Sequence, residues 1–272
     1  MLYKTSFTCS LLIVLGLHTF AQLEIFDVRD FGMGSSSVGS ESINSISKNP
    51  SIQPIDGKNY FSCNVINNYT IRELSPFSLK YQHKFGENNC LLAGIGKMGG
   101  KYFSEQYFEV GVSKHLGSKL SAGIRLNYST WIIPESTIEN SKTWEPELGI
   151  FANPFQNFFF GVIIRNPVRF RMTTIASNNM FAEINPGISF RISEKLIIAG
   201  SVLQINNQPV NVQTGIEYRF HKVLFLRCGI RTNPLTQSFG ISLKMSCFNL
   251  DMGLRTNPYL GNSTAMALTF AL

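Results

Sequence analysis

The side chains most able to do chemistry are charged residues set at every second position of segments that are otherwise apolar. Read by that alternation, Lys80, Lys84, Arg125, Arg165, Arg191, Arg219, Arg227, Arg231, Lys244 and Arg255 share a face with Glu109, Glu147, Glu183, Glu217 and Asp251. A charge taken out of water has to be paired or kept wet. Glu217 and Arg219 are therefore expected to face Arg227, and Asp251 to lie among Lys244 and Arg255. Two chemistries suit such a set. One is a salt-bridged interior that clamps another part of the chain. The other, because bases outnumber acids, is a passage that favours anions. Catalysis is not expected: beyond residue 21 the histidines are His83, His115 and His221, and none sits in a motif that pairs a base with a nucleophile. Cys63, Cys90, Cys228 and Cys247 are irregularly spaced, with no CxxC or histidine pairing. No metal or cofactor is expected, and the cysteines read as small buried or lipid-facing residues, not as a disulfide framework.

These faces exist only if strands carry them. From Tyr60 onward apolar residues alternate with small or polar ones, in segments of about ten residues separated by turn residues. Leu120, Ala122, Ile124, Leu126 and Tyr128 oppose Ser121, Gly123, Arg125, Asn127 and Ser129. Phe239, Ile241, Leu243 and Met245 oppose Gly240, Ser242, Lys244 and Ser246. The pattern predicts an all-β fold, a transmembrane antiparallel β-barrel of about fourteen strands. They are expected near residues 60–68, 76–85, 90–98, 106–116, 119–131, 145–153, 157–165, 180–192, 195–205, 209–220, 222–232, 236–246, 247–256 and 260–272. Twelve strands also fit, because the third and ninth are less cleanly patterned. The connections support an even count. Short ones (Gly117-Ser118, Ser193-Glu194, His221) fall after even strands. The longest, near residues 132–144 and 166–179, fall after odd ones, as short periplasmic turns and longer outer loops require. A soluble sandwich or lipocalin-like barrel would show more outward charge than 15% charged residues supply.

The N-terminus differs in kind. Lys4, the apolar run Leu11 to Leu17, and the small residues Thr19 and Ala21 form a secretory signal peptide over residues 1–21, cleaved after Ala21. The run is too short for a spanning helix. A net charge of +7 raises nucleic acid as a partner, but the bases are spread singly and an exported chain seldom meets it, so none is expected. The partner implied is the lipid of a Gram-negative outer membrane. Residues 22–59 are rich in Ser, Gly and Asn, too polar for lipid and too poor in apolar residues for a core. They are expected to fold inside the barrel of residues 60–272 as a plug, with Glu24, Asp27, Arg29, Asp30 and Glu41 pairing lumen charges. Gly32 and Gly34 would allow close approach to the wall, and Asn49-Pro50 would turn the chain into the first strand.

Two stretches resemble a known family. Arg29-Asp30-Phe31-Gly32-Met33-Gly34-Ser35-Ser36-Ser37-Val38-Gly39, with Lys48-Asn49-Pro50-Ser51, resembles the N-terminal segment of the FadL-type superfamily, particularly its PorV/PorQ-like branch. Leu226 to Pro234, Ser238 to Ile241, Asn249 to Gly253 and Leu260 to Ser263 resemble its C-terminal hairpins. The chain is shorter than typical members and ends in Leu272 where an aromatic is usual. The resemblance implies a fourteen-stranded barrel with its N-terminal segment folded inside. It also implies one of two functions: an accessory or structural barrel of a protein secretion or surface-export machine of the type IX kind, with other secretion-system proteins as partners, or a FadL-like transporter of small hydrophobic or amphipathic molecules. The charged lumen and short loops favour the first.

Overall fold

The computed structural model describes residues 27–41, 48–55, 57–133, 141–167, 182–206 and 208–272. The signal-peptide reading falls on residues outside this set. The strands are β1 (Asn59–Asn67), β2 (Phe77–Phe85), β3 (Asn89–Gly99), β4 (Ser104–His115), β5 (Leu120–Ile132), β6 (Ser141–Phe155), β7 (Phe158–Arg165), β8 (Glu183–Ser193), β9 (Leu196–Ile205), β10 (Asn211–His221), β11 (Leu224–Arg231), β12 (Thr236–Lys244), β13 (Phe248–Asn257) and β14 (Gly261–Ala271). Each pairs antiparallel with its neighbours in sequence, and β1 pairs with β14 from Tyr60↔Ala271 to Asn67↔Thr264, which closes the barrel. Closure is what hydrocarbon demands of strands, because an open edge would leave backbone groups without partners.

The period of two becomes the inside and outside of the wall. Ile124 is 56% exposed while its neighbour Arg125 is 3% exposed. Phe61, Phe108, Ile150, Ile188, Val212, Phe239 and Met266 continue the outward apolar band around the barrel. No helix among the described residues is long and apolar enough to cross a membrane. The four cysteines of the barrel are free thiols.

The count of fourteen holds, and most strand ends lie within two or three residues of expectation. The exception is β6, which begins at Ser141 and takes in Trp144. Trp144 stands opposite Tyr128, ring centroids 4.6 Å apart, and such an aromatic pair favours extending the hairpin. The third and ninth strands are real. Their pattern is blurred because they turn apolar residues inward too: Leu92 and Met98 on β3, Ala199 on β9.

Inside the barrel lies the N-terminal segment. Its short helix α1 (Val28–Gly32) is capped by Asp27, whose carboxylate accepts from Arg29 N at 2.9 Å. Gly34 and Ser35 take positive φ and reverse the chain, which then makes a 3-10 turn at Ser37–Gly39. Helix α1 packs on β11 to β14 and the 3-10 turn on β7 to β9. Val28 and Phe31 join Ile66, Ala265 and Ala267 in a small apolar cluster.

Candidate functional site

The seat of this segment is a track of inward-facing glycines. Gly123, Gly149, Gly161, Gly187, Gly215, Gly229, Gly240 and Gly253 occupy β5 to β8 and β10 to β13. A Cβ added at any of them would press on the inner segment. At Gly149 it would lie 2.8 Å from Pro50 Cγ, at Gly161 2.8 Å from Gly39 Cα, at Gly215 2.6 Å from Ser36 Oγ and at Gly253 2.8 Å from Phe31 Cδ1. The contact is reciprocal: a Cβ on Gly34 would meet Ile230 N at 2.8 Å, and one on Gly32 the Cα of Gly240 at 3.0 Å. Backbone therefore lies directly on backbone, which any larger residue would hold apart.

Ion pairs fix the segment on that track. Arg29 gives Nε to Glu217 Oε2 at 2.9 Å and Nη2 to Oε1 at 3.1 Å. The same carboxylate takes Arg227 Nε at 2.6 Å, and Arg227 Nη1 reaches Asp251 at 2.7 Å. All four side chains are buried, so the geometry satisfies the pairing that burial requires. Glu41 pairs with Arg191. Arg255 donates to Phe31 O and Ser35 Oγ at 3.1 and 3.0 Å, and its guanidinium stands 4.1 Å from the centre of the Phe31 ring. Asp30 stays within the segment, accepting from Ser37 N and Oγ and lying 3.8 Å from Lys48 Nζ. Burial, and then the neighbouring Asp30, push the Asp27 carboxyl up to about 6.

A second network belongs to the wall. Arg125, Glu147, Arg165 and Glu183 stand directly opposite one another across β5 to β8. Arg125 meets Glu147 at 2.6 Å, Arg165 meets Glu147 at 3.2 Å, and Arg165 meets Glu183 at 3.0 Å. Arg125 also lies 3.3 Å from Glu109 and donates to Lys48 O at 2.9 Å, so this row too touches the inner segment.

The structure thus brings together Arg125, Arg165 and Glu183 in one network and Glu217, Arg227 and Asp251 in another, with Arg191 and Arg255 binding the segment singly. Three expectations need correction. Asp251 does not pair with Lys244 or Arg255; its partners are Arg227, Ser242 and Asn249. Arg227, which stands opposite Gly240, reaches it across β12. Arg219 does not face Arg227. It stands opposite Phe225 near the end of β10 and donates to Glu194 O at 2.7 Å, where Lys244 ends β12 at the same mouth. Asn49-Pro50 does not lead into the first strand. Asn49 donates to Val38 O and Ile150 O at 3.0 and 3.1 Å and sits with Pro50 on Gly149 and Gly123, well before β1 begins at Asn59. Arg231 is joined to neither network among the described residues. The feature that sequence reading overlooked is the wall glycines. Their signal is visible: a glycine at an inward position of each of β5 to β8 and β10 to β13.

No family model matches this chain, and no curated protein matches it. Solved structures do. The toluene transporter TodX of Pseudomonas putida superposes with a TM-score of 0.68 at 11% identity, over 92% of this chain and 99% of that one. A FadL homologue of Pseudomonas aeruginosa gives 0.58 at 9% identity over 90% and 96%. The outer membrane protein Omp33 of Acinetobacter baumannii gives 0.56 at 8% identity over 81% and 100%. At such identities the likeness is one of fold: this chain has the fold of an outer-membrane β-barrel, shared with a FadL homologue.

Proposed function

We propose that this chain is a closed, non-enzymatic barrel of the Gram-negative outer membrane, exported with cleavage after Ala21, that serves as a fixed component of a protein secretion or surface-export machine, as its PorV/PorQ-like resemblance implies. The observation that carries this reading is the inner segment, laid on wall glycines and held by Arg29–Glu217, Glu41–Arg191 and Arg255. A lumen filled and locked in this way suits a scaffold better than a conduit. A second reading, a transporter of small hydrophobic or amphipathic molecules, is favoured by the fold it shares with a protein described as a toluene transporter. The lumen weighs against it, since the inward positions are mostly Ser, Asn, Gly and paired charges. Full-length protein reconstituted in liposomes and planar bilayers decides between them. The scaffold reading expects no steady conductance, no toluene uptake above empty liposomes, and co-purification with other secretion-system proteins from native membranes. Saturable toluene uptake would overturn it in favour of the transporter.

A further inference from the structure

The outward face of the wall carries little charge, and that charge is gathered on one side. Among the described residues every acid on a strand, from Glu105 on β4 to Asp251 on β13, stands at an inward position. The lysines and arginines at outward strand positions are Lys97 on β3, Lys114 on β4 and Lys142 on β6; among the described residues β1, β2 and β7 to β14 present none. Lysines that only snorkel from the edge of a bilayer would be spread around the barrel, whereas these are confined to β3 to β6.

Two of them end a single row. Lys97 stands opposite Gln106, Gln106 opposite Thr130, and Thr130 opposite Lys142. Lys97 and Lys142 are exposed, and among the described residues neither enters an ion pair. One outward position further in, Phe108 stands opposite Tyr128 and Tyr128 opposite Trp144, with ring centroids 6.3 and 4.6 Å apart. An outward aromatic band marks the level at which hydrocarbon meets headgroups. The lysine row lies two residues, about 7 Å, beyond that band, at headgroup depth. Three strand spacings, about 14 Å along the wall, separate the backbones of Lys97 and Lys142.

The row lies at the end of the barrel whose connections include the longer ones, after β1, β5 and β7; the turns at the other end are short. Longer connections face the exterior, so the row meets the outer leaflet. Lys101, exposed in the connection from β3 to β4, adds a cation just beyond Lys97. The acid at this corner is Glu73, which a Cβ on Gly100 would meet at 2.9 Å. Arg72 beside it is exposed, and the corner stays positive.

We propose that the outward face of β3 to β6 binds a bisphosphorylated glycolipid of the outer leaflet, the lipid A part of lipopolysaccharide, with Lys97 and Lys142 each meeting a phosphate. A lysine ammonium is a compact charge that binds phosphate without demanding a fixed geometry. Gln106 and Thr130, between the two lysines, offer an amide and a hydroxyl to the sugar that joins the phosphates. The exposed apolar side chains below them, Phe108, Leu126 and Leu148, face the acyl chains. A phosphoglycerolipid brings one phosphate and no sugar, so it answers only part of the row. The inference rests on the place of the chain in the outer membrane and stands whether the barrel serves secretion or transport.

Native mass spectrometry of the full-length protein in detergent, with bisphosphorylated lipid A as the probe, tests this. Lipid A adducts should form at concentrations about tenfold below those needed with monophosphorylated lipid A or phosphatidylglycerol, the difference expected from one further charge-assisted contact. The double variant Lys97→Gln/Lys142→Gln should lose that preference. Lys114→Gln, at the other end of the same face, should keep it. Heat-modifiable gel mobility confirms that each variant is folded, and all three substitutions leave the lumen untouched. If phosphatidylglycerol binds as tightly as lipid A, the row is a general anionic contact. If the folded double variant binds lipid A as wild type does, the lipid is held elsewhere. If the protein appears as a dimer free of lipid, a second copy covers the face. Each of these three results overturns the proposal.

Discussion

Arg29 Nε and Glu217 Oε2 meet at 2.9 Å across 188 residues of chain, and both are buried. Glu217 also holds Arg227, so the carboxylate joins the inner segment to the wall. Arg29→Met should leave Glu217 still paired with Arg227, whereas Glu217→Gln takes the carboxylate from Arg29 and leaves Arg227 with Asp251. Removing one partner of a buried pair costs about 3–5 kcal/mol. Glu217→Gln is thus expected to lower the urea midpoint more than Arg29→Met does. Equal effects would mean that Arg227 relies on Asp251 alone.

The glycine track makes a sharper steric prediction. Gly161→Val places side-chain atoms where Gly39 now lies and should loosen the segment by roughly 1–3 kcal/mol, the usual range for overpacking. Gly200→Ala is the control, since its added Cβ finds its nearest neighbour at 3.7 Å. Limited proteolysis of folded protein reads the difference. Gly161→Val should expose cleavage within residues 27–41, and Gly200→Ala should not.

Which face each residue takes was legible in the sequence, because a period of two survives in Leu120 to Tyr128 and in Phe239 to Ser246. Which residue stands opposite which was not. Register depends on the geometry of each turn, so the row Arg125–Glu147–Arg165–Glu183 could be assigned to one face without being seen as a row. Asp251 was misassigned for the same reason: its partner lies two strands away, reached over a glycine. Asn49-Pro50 looks like a turn and is one, but only packing against Gly149 places it on the far wall.

Asp27 gives a pH dependence. Its carboxyl stands at about 6 in the lumen against an ordinary value of 3.8. A raised acid favours the docked segment fully below the ordinary value, and that contribution is lost as pH rises through the raised one. At pH 7 the buried charge therefore works against docking by up to about 3 kcal/mol. Asp27→Asn keeps a capping oxygen without the charge. It should be more stable than wild type at pH 7, with the gap closing between about pH 6 and pH 4. A constant gap across that window would place the effect elsewhere.

Facing can be tested directly on β5. Leu126→Arg puts a charge on the outward face near the middle of the strand, where lipid exposure costs roughly 2–4 kcal/mol. Ser121→Arg turns its charge inward at the periplasmic end, beside His115, whose ring nitrogen lies 2.6 Å from Ser121 Oγ. The outward variant should lose heat-modifiable mobility at a lower temperature than the inward one. The reverse order would mean that the lumen there has no room for a long side chain.

The last prediction concerns the seal. Fourteen strands enclose more space than their own side chains fill, since eight already come close to filling theirs. In the described structure that space beside β5 to β9 and β11 to β14 is taken by Asp27 to Glu41 and by the turn at Lys48 to Ser51. Deleting residues 24–48 while keeping residues 1–23 removes Arg29, Asp30 and Glu41 together. The wall row Arg125–Glu147–Arg165–Glu183 remains self-paired, and every strand keeps both neighbours, so the barrel should still insert. Glu217, Arg227 and Asp251 remain paired to each other and would line an opened lumen. The deletion is expected to conduct ions steadily in planar bilayers where the full-length protein does not. Because Arg191 loses Glu41, and Arg255 loses its contacts to Phe31 and Ser35, its current should favour anions. If the deletion inserts and conducts no more than the full-length chain, the segment does not seal the barrel, and its role is to recruit a partner from the periplasm.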